Sequence, residues 1–208
     1  LFVNIVVNKL WKFNFILMLK KNNNKSIYNV LGIMSGTSMD GIDISLVETN
    51  GTNHLKIIKE KSYNYYIKIQ KKFKNIIENK PRQKNKIKKY FYDNEDIFNL
   101  IIILYIKKFI KEFKIKNNYI DLISLSGQTV YHNPLEQISI QLGSGKEIAN
   151  QFKIKTISNL RDKDIEHKGQ GAPIGSYYHR YILRNTKEKS IIINLGGIAN
   201  FTALSKNV

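Results

Sequence analysis

The chain has 208 residues, 42% of them hydrophobic and 24% charged, which is enough to bury one substantial core and excludes an intrinsically disordered polymer. It carries 34 Lys and Arg against 16 Asp and Glu, a net charge of +18. The lysines are scattered among Asn and Ile, as in Lys84-Asn85-Lys86-Ile87-Lys88-Lys89, and no helix-turn-helix, zinc or RNA-binding signature accompanies them, so nucleic acid is not the expected partner. With no cysteine, disulfides, thiolate metal sites and cysteine nucleophiles are all excluded.

Residues 1–26 are expected to be an N-terminal extension. Their apolar patches are interrupted by Asn4, Asn8, Lys9, Lys12 and Asn14, short of the roughly 20 apolar residues of a membrane span. No small-x-small cleavage pattern follows them, and a cytoplasmic location fits. Met18 lies just before the first expected strand, so residues 1–17 are read as translated upstream sequence.

From Ile27 to Met34 the apolar run predicts a buried strand, and Ile42, Ile44, Leu46 and Val47 predict its hairpin partner. Between them the turn is made almost wholly of small, hydroxyl and acidic residues: Ser35, Gly36, Thr37, Ser38, Met39, Asp40, Gly41, then Asp43 after Ile42. Such a turn suits phosphate: Gly36 and Gly41 leave backbone N–H groups unobstructed, Ser35, Thr37 and Ser38 add hydroxyl donors, and Asp40 or Asp43 could hold a magnesium ion through water. Taken alone it is equally a plain Ser/Gly β-hairpin.

Leu55 to Ile69 suits a third strand ending near Tyr65, and helical spacing predicts helices from Ile69 to Asn79 and from Glu95 to Phe113, with Lys80 to Asn85 as a polar breaker. Short strands are expected at Leu122 to Leu125, Ile138 to Leu142, Ile154 to Ile157 and Ile191 to Leu195, and helices at Glu147 to Phe152 and Ala172 to Leu183. This alternation predicts an α/β fold.

Two later segments add chemistry. Asn159-Leu160-Arg161-Asp162-Lys163-Asp164 runs into Gly169-Gln170-Gly171-Ala172-Pro173, placing a carboxylate before a Gly-rich turn that opens an expected helix. Asp162 rivals Asp164 as the acidic group of this run. Near the C-terminus, Ile191 to Leu195 feeds Gly196-Gly197-Ile198-Ala199-Asn200-Phe201-Thr202. His54, His132, His167 and His179 show no metal spacing, so no protein-ligated metal is expected, and no Gly-x-x-x-x-Gly-Lys-Ser/Thr loop is present.

In this order, Met34-Ser35-Gly36-Thr37-Ser38-Met39-Asp40-Gly41-Ile42-Asp43, Gly169-Gln170-Gly171-Ala172-Pro173 and Asn194-Leu195-Gly196-Gly197-Ile198-Ala199-Asn200 resemble the anhydro-N-acetylmuramic acid kinase family, within the sugar kinase, actin and Hsp70 superfamily. Gly127-Gln128-Thr129 and Gln141-Leu142-Gly143 support the match, which runs from about Val30 to Thr202. The resemblance implies a ribonuclease H-like first domain over residues 27–186 and the start of a second, similar domain over residues 187–208. It implies ATP with Mg²⁺ carried by the nucleotide, cell-wall sugar recycling, and a homodimer for a full-length enzyme. In that frame Asp164 matches the catalytic base. Ser35, Gly36, Thr37, Ser38, Asp40, Gly41, Asp43, Asn194, Gly196, Gly197 and Asn200 match the two phosphate hairpins, and Arg161, Gln170 and Gly171 match the sugar contacts. Ser126, Ser144, Asn159 and Lys168 depart from the pattern, standing where histidine, aspartate, aspartate and glycine are usual. The chain ends just inside the second half, so the expectation is a partial enzyme with little activity alone. The rivals are another actin-like sugar kinase and a degenerate nucleotide-binding fragment.

Overall fold

The computed structural model describes residues 26–184, 189–195 and 199–204. Strands β1 (Tyr28–Ser35), β2 (Gly41–Thr49) and β3 (Leu55–Asn64) form an antiparallel meander. Helices α1 (Ile67–Glu78), α2 (Lys84–Tyr92) and α3 (Glu95–Glu112) then cross over to β4 (Leu122–Asn133), which lies parallel to β1. After them come β5 (Ile138–Leu142), α4 (Gly145–Phe152), β6 (Thr156–Ile157), α5 (Asp162–Glu166) and α6 (Ser176–Ile182), and finally β7 (Ser190–Asn194) and β8 (Asn200–Leu204), which pair as a separate ribbon.

Period-two alternation makes the first hairpin. Ile42, Ile44 and Leu46 are buried while Asp43 between them is exposed, so one face of β2 meets the core. Opposite that face, α3 presents Phe98, Ile101, Ile102, Tyr105, Ile106 and Phe109 at helical spacing, all buried. Phe73 of α1 stacks on Phe98 with ring centroids 4.0 Å apart, which locks the two helices into one layer. Glu95 and Asp96 in the first turn of α3 and Lys111 in its last turn complement the helix dipole.

The sheet is mixed, in the order β3-β2-β1-β4-β5, with β6 also on β4. The far edge of β4 is shared: Ile123 and Ser124 pair in parallel with β6, and Gln128 to Asn133 pair antiparallel with β5. Thus β1, the first part of β4 and β6 all run the same way; β1 and β6 end there, while β4 runs on into its pairing with β5. Strands two places apart there stand roughly 10 Å from each other.

Several elements differ from expectation. Helix α2 was hidden in the lysine-rich stretch read partly as a breaker; Ile87 and Phe91, four residues apart, are buried, Tyr90 is partly so, and the lysines around them mask the period. The strand expected at Leu122 to Leu125 continues to Asn133, because Gly127 at φ 70° lets the chain carry on past what reads as a stop. A Cβ at Gly127 would also stand 2.8 Å from the Leu142 carbonyl oxygen of β5. Strand β6 spans only Thr156–Ile157. Helix α6 begins at Ser176, not Ala172, so Pro173 lies in the approach and not in the first turn; the Ala172–Pro173 bond is cis. No helix among the described residues is long and apolar enough to cross a membrane.

Candidate functional site

Two segments leave the sheet at the end where β1 and β6 terminate and β4 runs on beside β5. The first is the β1–β2 turn. Ser35 closes β1 and is buried; Thr37, Ser38 and Asp40 are exposed, and Gly41 begins β2. The turn is ordered from within, by Met39 N–H donating to the Gly36 carbonyl at 3.1 Å and by the Ser38 hydroxyl donating to Asp40 Oδ1 at 2.7 Å. From outside, Tyr65 N–H donates to the Asp40 carbonyl at 2.8 Å. Ser35 therefore turns into the protein and not toward a ligand: its hydroxyl donates to Gln128 Oε1 at 2.5 Å and lies 3.0 Å from the Tyr65 hydroxyl. Burial pushes the Tyr65 phenol up to about 12. Asp43 lies on the exposed face of β2, accepting from the Ser62 hydroxyl of β3.

The second segment follows β6. Asp164 sits in α5, where the chain after Ile157 has already turned. Its half-buried carboxylate accepts from Gly171 N–H through Oδ2 at 2.6 Å, and its own carbonyl accepts from Gly169 N–H at 2.7 Å. The loop 169–171 is thus wrapped around Asp164. A Cβ on Gly169 would stand 2.3 Å from Asp164 Oδ2, so the close approach requires glycine there. Arg161 Nη1 donates to the Gly171 carbonyl at 3.1 Å, so the two side chains hold Gly171 on both sides. Arg161 Nε is buried with no hydrogen-bond partner, and burial draws the guanidinium below its ordinary value. Gln170 is exposed at the tip. Asp162, the rival carboxylate, makes a different use of α5: burial and Glu166 push its carboxyl up, while Lys88 and Lys163 oppose them.

Beside this loop, α5 packs against β5, and His132 Nδ1 pairs with Ser139 Oγ at 2.9 Å, on which Gln141 Nε2 also converges at 2.6 Å. Burial and then the charge of Arg161 push the His132 imidazole down, favouring its neutral form. The neighbouring turn after β5 is held by α3: Glu95 Oε1 accepts from Gly143 N–H at 3.1 Å and Asn99 Oδ1 from Ser144 N–H at 2.7 Å. Ser144 caps α4, its hydroxyl accepting from Glu147 N–H at 3.3 Å, so at this departure the serine is employed as a cap. Asn159 (φ 56°) and Lys168 (φ 63°) are both left-handed. Asn tolerates that conformation, whereas Lys does so at a cost.

The ribbon β7–β8 brings Asn194 opposite Asn200, at the ends of the two strands; Gly196 and Gly197 lie outside the described residues. His179 Nδ1 of α6 pairs with Thr202 Oγ1 at 2.8 Å, tying the ribbon to the helix. Among the described residues no group of three or more His, Asp or Glu is placed to hold a metal ion. Gln128, Tyr65, Glu95 and Asn99 were not singled out in the sequence for any role. Only Gln128 carried a signal, in the Gly127-Gln128-Thr129 stretch.

The family model described as anhydro-N-acetylmuramic acid kinase matches residues 28–208. The chain is similar to the anhydro-N-acetylmuramic acid kinase of Pelagibacter ubique (strain HTCC1062), 35% identical over 191 residues, covering 88% of this chain and 49% of that protein. It is likewise similar to the proteins of that name from Brucella suis (strain ATCC 23445 / NCTC 10510), 30% identical over 187 residues with 85% and 49% covered, and Zymomonas mobilis subsp. mobilis (strain ATCC 31821 / ZM4 / CP4), 32% identical over 180 residues with 83% and 48% covered. The chain spans about half the length of these relatives.

Proposed function

Because this chain belongs to the anhydro-N-acetylmuramic acid kinase family, we propose that it forms the sugar-and-phosphate half of an ATP-dependent kinase acting on 1,6-anhydro-N-acetylmuramic acid in cell-wall recycling. The first domain, residues 27–186, takes the ribonuclease H-like form of actin-type kinases, and residues 187–208 begin a second. In support, the five strands β3-β2-β1-β4-β6 lie side by side with only β2 running against the rest.

In the proposed reaction water attacks the anomeric carbon and gives its proton to Asp164. The bond from that carbon to O6 breaks, O6 attacks the γ-phosphorus, and the bond to ADP breaks. Asp164 is suited to this because the Gly171 N–H fixes its carboxylate at 2.6 Å, at the same end of the sheet as the first hairpin. That pairing of a fixed carboxylate with a donor-rich turn carries the proposal. Arg161, Gln170 and Gly171 would contact the sugar. Backbone N–H groups of residues 36–41 other than that of Met39, which is held by the Gly36 carbonyl, would receive the phosphates of Mg·ATP with the exposed Thr37 hydroxyl, and with Ser38 once its hydroxyl turns from Asp40; Asp40 and Asp43 would be the carboxylates for the hydrated ion.

The test is ADP release from ATP and magnesium, with and without the anhydro sugar, by this chain and by the chain joined to a relative's second half. Sugar-dependent release that vanishes in Asp164→Asn supports the proposal. Release independent of the sugar, or unaffected by Asp164→Asn, overturns it, and nucleotide binding without any transfer would favour the degenerate fragment.

A further inference from the structure

The side chain of Gln128 is 1% exposed, yet it reaches from β4 across to the β1–β2 turn, 92 residues away in sequence. Its hydrogen bonds have a fixed direction. The Gly36 carbonyl can only accept, so the Gln128 atom 3.0 Å from it is the donating Nε2, whose other proton faces the Thr129 carbonyl at 3.3 Å. Oε1 then faces Ser35 and can only accept; of the two acceptors around the Ser35 hydroxyl, Oε1 at 2.5 Å is much nearer than the Gly41 carbonyl at 3.2 Å, so the single proton points chiefly to Gln128. Ser35 Oγ is left as the acceptor for the Tyr65 hydroxyl at 3.0 Å. A one-way chain thus runs from Tyr65 through Ser35 and Gln128 to the Gly36 carbonyl. Tyr65 also grips the far end of the turn, through its N–H on the Asp40 carbonyl.

In a trans peptide the carbonyl and the next N–H point in opposite directions. With the Gly36 carbonyl held inward by Gln128 Nε2 and Met39 N–H, the Thr37 N–H is turned away from the protein interior, to the side where Thr37 and Ser38 are exposed. A flipped Gly36–Thr37 peptide would present an oxygen there and repel phosphate. We propose that Gln128 is a positioning residue for phosphate recognition, holding the Gly36 carbonyl inward so that the Thr37 N–H stays available as a donor. This rests on the first hairpin being the phosphate site.

The experiment uses the 208-residue chain and two variants. Gln128→Glu keeps the shape and the acceptor for Ser35 but sets a carboxylate against the Gly36 carbonyl, and Gln128→Leu removes both bonds. Amide resonances and hydrogen exchange are recorded without ligand, then Mg·ATP is titrated. Ile106→Val, a truncation in the α3 core, controls for loss of stability alone. In both Gln128 variants we expect the Thr37 amide resonance to shift and Mg·ATP affinity to fall by about tenfold or more, the scale of one hydrogen bond to a charged group, while amide protection across Leu122 to Leu125 stays as in the wild type. Ile106→Val should leave both hairpin readouts unchanged. Should Gln128→Leu fail to fold, the isosteric Gln128→Glu carries the comparison. An unmoved Thr37 resonance with affinity within about twofold of wild type in a folded Gln128 variant overturns the proposal. A wild-type chain whose hairpin amides ignore Mg·ATP overturns instead the phosphate reading, because the ligand-free spectra separately report whether Gln128 holds the peptide.

Discussion

Gly169→Ala perturbs the candidate base without touching it chemically. The added methyl would sit 2.3 Å from Asp164 Oδ2 and 2.4 Å from its Cγ, against the roughly 3.5 Å of ordinary contact. Either the carboxylate swings away and loses the Gly171 N–H at 2.6 Å, or the loop lifts and loses the bond from Gly169 N–H to the Asp164 carbonyl at 2.7 Å. A hydrogen bond to a charged group is worth about 1.5–3 kcal/mol, and the half-buried position argues for the lower end, near ~1.5 kcal/mol. For a chain of this size that lowers Tm by roughly 3–6 °C. The assay is a double-mutant cycle by denaturant unfolding. Once Asp164→Ala has removed the obstacle, Gly169→Ala should cost less than about 0.5 kcal/mol, and its restriction of the unfolded chain can make it stabilising. The reasoning is refuted if Gly169→Ala costs as much in the Asp164→Ala background as in the wild type, since the methyl would then be striking something other than the carboxylate.

Lys168→Gly should stabilise the chain by about 0.5–1 kcal/mol, because a left-handed lysine costs roughly 1–2 kcal/mol and glycine returns part of that as unfolded-state entropy; Lys168→Ala, which keeps the penalty, should show no gain in the same denaturant titration. Ser144→Ala should destabilise by about 1 kcal/mol through loss of the α4 cap, whereas Ser144→Asp, also a capping residue, should hold stability near wild type in thermal unfolding. Phe98→Ala should cost about 3–5 kcal/mol by emptying the stack on Phe73, read as a lowered denaturant midpoint. The Tyr65 phenol, raised to about 12 by burial, favours its neutral form in the folded state. Its contribution is therefore full below pH 10 and lost between pH 10 and pH 12, so wild-type stability should fall across that window more steeply than that of Tyr65→Phe in alkaline unfolding.

What the sequence made legible were elements whose period was strong. The alternation in β2 and the long apolar stripe of α3 name their own buried faces, and both are found where they were expected. Helix α2 was not, because two buried residues among lysines leave too little period to see. The glycine at 127 reads as a strand terminator, yet its positive φ and the nearness of β5 make it a point of passage within β4. In the site, the chain order of Asp164 and Gly169 to Gly171 announced a loop but not its wrapping around the carboxylate, which depends on two backbone N–H groups. Ser35 shows the same limit: its hydroxyl looked like a ligand donor, and the partner that turns it inward is 93 residues distant in sequence.

The most direct test of the two-segment cleft is an amide resonance titration of this chain with Mg·ATP and, separately, with 1,6-anhydro-N-acetylmuramic acid. The account predicts that the nucleotide moves the amides of residues 36–41 and the sugar moves those of residues 161–171. Nucleotide shifts confined to other surfaces, or sugar shifts that spare the loop around Asp164, would contradict it.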